Sequence, residues 1–228
     1  MSRQRKDKQS MGMMPITVLA AVIAATVAFA VSGGPAAQGH AEHAATQSSA
    51  KQAMFHNQMR ALWEDHIVWT RGAIVSFAAG TPDFDATAAR LLRNQDDIGN
   101  AIKPYYGKKA GKALTALLKD HILIAVDILK AAKAGDAAAV ADANKRWYAN
   151  ADQIARFLNK ANPHNWGLKP AKAMMRMHLD ETLKEAVDRL NGRFAADIRD
   201  YDSVHHHILK MADMLSSGII KQFPARFR

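Results

Sequence analysis

From Gln52 onward, apolar residues recur with a helical period and nowhere with a period of two. Met59, Trp63, Thr70, Ala73 and Phe77 share one helical face. Ala88, Leu91, Ile98 and Ile102 share a second, and Leu114, Leu118, Ala125 and Ile128 a third. Val140, Trp147, Ile154 and Leu158 form a fourth stripe, and Met175, Leu179, Ala186 and Leu190 a fifth. Ile198, Tyr201, Ile208, Leu215 and Ile219 form the sixth. The spacing predicts an all-α fold of six helices. Gly80, Gly135 and Gly192 stop the first, third and fifth, as glycines past a helix end do. Thr81-Pro82-Asp83 and Gly135-Asp136 bring capping chemistry to the helices that follow. Pro104, Pro163 and Pro224 follow the second, fourth and sixth.

One register repeats. His66, His121 and His178 each precede a turn glycine (Gly80, Gly135, Gly192) by 14 residues. The pattern predicts three tandem antiparallel α-hairpins packed as a six-helix bundle. Fourteen residues lie about 21 Å back along a helix at ~1.5 Å per residue. The returning helices reach that height near Gln95, Asn150 and His207, with His205 close by. These groups are expected to form one polar layer across an apolar bundle. His66, His121, Gln95 and Asn150 fall within their stripes, His178 at the edge of its own, and His205 and His207 border the last stripe on opposite sides.

The first residues change the picture. Residues 1–10 carry Arg3, Arg5, Lys6 and Lys8 against Asp7, and no charge appears from Gln9 through His40. Residues 11–31 are long and apolar enough for a signal peptide or a transmembrane anchor, with Ala28-Phe29-Ala30 as a candidate cleavage site. The basic end stays inside, so the domain is expected to be extracytoplasmic, either membrane-anchored or secreted. Residues 32–51 read as a flexible linker and 52–225 as the helical domain. The chain of 228 residues has no cysteine, which excludes disulfides, thiolate metal sites and covalently attached c-type haem. Of the net charge of +10, the part outside residues 1–10 is scattered, without the basic stripe of a nucleic-acid binder, so no nucleic-acid partner is expected. Partners are expected to be the membrane, through the N-terminal helix, and a protein of the envelope.

The polar layer carries the candidate chemistry. Neutral imidazole is a ligand for zinc, copper and iron. Thioethers lie near: His207, Met211 and Met214 are spaced i, i+4, i+7, and Met174 precedes His178 by four. His66, His121, His178, His205, His207, Met211 and Met214 are therefore the candidate metal ligands, with copper or zinc as the candidate ion and a His/Met haem iron as a variant. The alternatives are a hydrogen-bonded layer that fixes helix register in a structural or interaction protein, and an organic ligand pocket. Enzyme templates are missing: there is no His-Glu-x-x-His, Gly-x-Ser-x-Gly, P-loop, Gly-x-Gly-x-x-Gly or paired Glu-x-x-His. The expectation is a binding protein, and no catalytic residue is assigned. Asp127, on a mostly apolar helix, calls for a partner from another helix.

Several segments carry a family resemblance. Leu62-Trp63-Glu64-Asp65-His66, residues 97–107 (DIGNAIKPYYG), residues 147–152 (WYANAD), residues 162–166 (NPHNW), His178-Leu179-Asp180 and the tail from Tyr201 to Pro224 resemble a family of small exported bacterial helical proteins. The resemblance covers about residues 55–225. The family has no assigned activity, and the name glycosyltransferase that some members carry is unsupported here: a nucleotide-sugar transferase of the usual kinds needs a Rossmann-like α/β domain or a large multi-span enzyme. The resemblance implies the fold and the positions that matter, and supplies no mechanism.

Overall fold

The computed structural model describes residues 35–228. The expected signal or anchor at 11–31 and the basic start at 1–10 lie outside the described residues. Among those residues no helix is long and apolar enough to cross a membrane. The fold is all-helical: α1 (Pro35–Ala79), α2 (Phe84–Ala134), α3 (Ala137–Ala161), α4 (Leu168–Leu190) and α5 (Phe194–Gln222), closed by a 3-10 turn at Pro224–Phe227. Each helix packs on the next, and α5 returns to α1, which closes a ring around one core.

Five helical segments stand where six are expected, because the second and third expected helices are joined within α2, with Pro104 inside the helix instead of after it. The interruption falls at Gly107, whose φ of 84° and ψ of 165° are non-helical. Only glycine takes that conformation without steric cost. There α2 folds back on itself. Thr115 Oγ1 donates to the Gln95 carbonyl at 3.3 Å, and Lys119 pairs with Asp96 at 2.8 Å. The two arms touch backbone to backbone at Gly99 and Gly111, where a Cβ on Gly99 would lie 2.7 Å from the Gly111 carbonyl oxygen and would also strike Thr115. Gly99→Ala is therefore expected to overpack the hairpin by about 1–3 kcal/mol and lower Tm by several degrees, read by thermal melting.

Residues 35–51, expected as a flexible linker, form the first turns of α1. Ala36, Ala37, Ala41, Ala44 and Ala45 supply helix propensity, and Pro35 stands at the first position, where its missing N–H costs nothing. Most of residues 46–51 are exposed.

The other turns follow the expected chemistry with one change. Gly80, Gly135 and Gly192 all have positive φ. Asp136 caps α3 by accepting from the Ala139 N–H at 2.9 Å. Asp83 does not cap α2; it accepts hydroxyl hydrogen bonds from Ser76 (2.6 Å) and Thr81 (2.5 Å), tying the turn back to α1. The 162–166 segment closes the end of the bundle. Asn162 donates to the Gly218 carbonyl at 2.9 Å, and the buried Trp166 ring lies against Gly218, where no side chain fits.

The last stripe buries Ile208, Leu215 and Ile219 as expected and differs at its first member. Ile198 is 55% exposed, while its neighbour Asp197 is fully buried. The buried face of α5 runs through Asp197, Val204, Ile208, Met211, Leu215 and Ile219.

Candidate functional site: a histidine layer

α1, α2, α4 and α5 each bring one imidazole to the middle of the bundle. His66, His121 and His178 are buried to 2–3% exposure. His178, at the edge of its stripe by helical angle, is the centre of the group. Its ring centroid lies 5.8 Å from that of His66, 6.1 Å from His121 and 6.5 Å from His207. Gln95 and Asn150 complete the layer, as the matched helix heights predict.

The hydrogen bonds assign the protons. Asn150 Nδ2 donates to the Leu117 carbonyl at 3.1 Å, so its Oδ1 faces His121. His121 Nδ1 therefore carries the proton and donates to Asn150 Oδ1 at 2.9 Å, which leaves Nε2 with a free lone pair. His207 Nε2 donates to the Met174 carbonyl at 3.1 Å, leaving Nδ1 bare. Gln95 Nε2 donates to His66 Nδ1 at 3.2 Å and to the Leu91 carbonyl at 2.8 Å. Three buried atoms in or beside the layer have no partner: His178 Nδ1, Gln95 Oε1 and Trp63 Nε1.

Burial keeps the imidazoles neutral. Desolvation, with a lesser push from His121, moves His66 down to about 3. Desolvation moves His121 down to about 4 against the hydrogen bond to Asn150. It carries His178 well below its ordinary value, with His66, His121 and His207 adding to the effect. All three are neutral donors at pH 7.

The other candidates are placed differently. His205 is outside the layer: its Nε2 lies 3.2 Å from Glu64 Oε1 on the surface, because its position on α5 faces away from the bundle axis. Met211 is buried one turn beyond His207. Met214 is partly buried against the core, with its carbonyl taken by Trp166. Asp127 finds its partner in Arg146 of α3, at 3.2 Å. As the side chains stand, no group of three or more His, Cys, Asp or Glu among the described residues is placed to hold a metal ion.

The layer separates two apolar cavities of about 30 Å³ and about 50 Å³. Beyond the second lies a cluster that sequence reasoning misses. Arg71 of α1 binds both oxygens of the fully buried Asp197, one at 2.9 Å, and reaches Glu185 Oε1 at 2.9 Å. Arg189 approaches Asp197 at 3.5 Å. Glu185 is fully buried with Oε2 unpartnered, and burial outweighs Arg71 and lifts its carboxyl to about 7. The signal was present: His178, Thr182 and Glu185 are spaced i, i+4, i+7 on the stripe that holds Leu179 and Ala186.

No family model, curated protein or solved structure matches the chain. Its function must be argued from this geometry.

Proposed function

We propose that the chain is a helical binding protein whose histidine layer takes a transition metal ion, copper or zinc. One observation carries the proposal. Four imidazoles from four helices gather with His178 at their centre, three of the four held neutral by burial, with bare nitrogens on His121 and His207 and an unpartnered Nδ1 on His178. A ring nitrogen tied to a protein acceptor while the other stays free is how proteins orient metal-binding histidines. Two rings on one ion, each with a metal–nitrogen bond of about 2.0–2.1 Å, have centroids roughly 5–6.5 Å apart, the range found here. An unpartnered buried polar atom costs about 1–3 kcal/mol, which a bound ion would offset. The thioether of Met211, one turn beyond His207, adds a soft donor that favours copper(I). The cavities beside the layer are too small for a porphyrin, so the haem variant is set aside.

The basic and apolar segment at residues 1–31 supports a domain working outside the cytoplasm on a membrane anchor or after secretion, where an envelope protein would be its partner.

A second reading has its own support. Hydrogen bonds from Gln95 and to Asn150 already engage one nitrogen each of His66 and His121, and no three donors converge. In that reading the layer fixes helix register in a structural protein. Metal titration separates the two. Chelator-treated full chain is given zinc, or copper(I) without oxygen, and then dialysed. One ion per chain is expected, with a gain of about 2.7 kcal/mol at a hundredfold excess over Kd and a rise in Tm of roughly 5–10 °C. His66→Ala/His121→Ala is expected to abolish both while far-UV circular dichroism stays helical. A chain that retains no ion and whose melting is unmoved by either metal overturns the metal proposal and leaves the structural one.

A further inference from the structure

The two cavities share the register of the histidine layer. Trp63, Leu118 and Met175, each three residues before a layer histidine, line the first. Thr70, Ala125 and Thr182, each four residues after one, line the second. Gln95 and Asn150 do the same on their helices: Ile98 and Ile154 face the first cavity, Leu91 and Trp147 the second. The layer is thus a septum one residue thick between two chambers stacked along the bundle.

The polar side chains lining the second chamber are bonded to the layer itself. The hydroxyls of Thr70 and Thr182 donate to the carbonyls of His66 and His178 at 2.7 and 2.8 Å, and the Trp147 N–H donates to that of His121 at 3.1 Å. Each polar atom of those side chains is engaged, which leaves carbon to face the space. In the first chamber Tyr106 is bonded to Gln222 at 2.7 Å and Trp166 to the Met214 carbonyl at 3.4 Å, while the buried Trp63 N–H has no partner. Apolar cavities of this kind exclude water yet admit small apolar guests. One water-sized sphere needs about 10–15 Å³ of such space. Chambers of about 30 and 50 Å³ therefore suit molecules of a few atoms and exclude any organic cofactor.

We propose that the two chambers are binding sites for an apolar diatomic gas, of the class of dioxygen and nitric oxide, held on either side of the histidine layer. This goes beyond the metal reading and does not depend on it, since the chambers are present in the chain alone.

The test uses the full chain without metal, labelled at its methyl groups and followed by NMR under rising xenon pressure. Saturable shifts are expected at Ile98, Leu118 and Ile154 for the first chamber and at Leu91, Ile122 and Ala125 for the second. The exposed Ile198 serves as the surface reference. Ala161→Leu is expected to remove the first set and keep the second, and Ala186→Leu the reverse. Dissolved dioxygen should enhance relaxation of the same methyls above that of Ile198, a readout that needs no variant to fold. Shifts that stay linear with pressure and no larger than those of Ile198, with dioxygen relaxation to match, overturn the proposal whatever the metal titration shows.

Discussion

Asp197→Ala is expected to cost about 3–5 kcal/mol. Removing one partner of a buried ion pair leaves the other charge without compensation. Asp197 is fully buried and both its oxygens bind Arg71. The Arg71 side chain is only 18% exposed, so water cannot replace the lost carboxylate. Glu185, 2.9 Å from Arg71, offsets only part of the loss, because ionising it against burial has its own cost. Urea unfolding at pH 7 measures the effect. Arg71→Met/Asp197→Leu is expected to regain a large part of the loss. It removes both charges, and Glu185 can then stay protonated rather than ionised without a partner. A double variant as unstable as Asp197→Ala would show that the cluster acts through packing and not through charge.

The difference between the two polar features of this bundle shows what a sequence makes legible. The histidine layer is legible because turn glycines set helix heights. His66, His121 and His178 stand 14 residues before positive-φ glycines, and those turns place Gln95 and Asn150 opposite them. Helical angle is less reliable. It puts His178 at an edge, whereas packing from α1, α2 and α5 makes it the centre. The rule that charged residues face water hides the charge cluster, although Glu185 stands on the buried stripe of α4. Glu185 and Asp197 can be buried only because Arg71 reaches them from α1, more than a hundred residues away in sequence. The same rule misplaces the start of α5, assigning Ile198 to the core in place of Asp197, while Ile208, Leu215 and Ile219 are buried as expected. The break at Gly107 is hidden for another reason. Pro104 is the stronger local signal, but a helix can carry a proline, and the close contact of Gly99 with Gly111 decides where the chain doubles back.

Stability is expected to fall steeply as the pH drops from 6.5 to 4.5. In the unfolded chain His66, His121 and His178 titrate near about 6.5. In the folded chain burial holds His66 down to about 3, His121 down to about 4 and His178 well below its ordinary value. Through this window the unfolded state binds three protons that the folded state refuses, so these histidines contribute stability above pH 6.5 and lose it on acidification. Glu185 acts in the opposite sense. Its folded carboxyl, raised to about 7, holds a proton that the unfolded one releases down to about 4.3, so its contribution is present at low pH and lost as pH rises through 7. The net uptake on unfolding is about two protons, a slope of about 2.7 kcal/mol per pH unit. Summed over the two units this is about 5 kcal/mol, a third or more of a total stability of about 5–15 kcal/mol. Asp188, held down at about 2 by Arg193, releases its contribution only below this window. Urea unfolding at half-unit steps of pH gives the slope. Glu185→Gln should steepen it to about 4 kcal/mol per unit, and His66→Leu/His121→Leu should flatten it almost to zero. A parent slope below one proton, unchanged in the double variant, would mean that the imidazoles are hydrated in solution. The same burial bears on the metal reading. Surface histidine ligands lose about a decade of affinity per pH unit and per ring below 6.5, because protons compete for their lone pairs. His66 and His121 take up no proton until about pH 4, so their share of the zinc affinity measured on the folded chain should be nearly constant from pH 7 to 5.5. A fall of two or more decades across that interval would place any bound zinc on exposed histidines such as His205 and His206 instead of in the layer.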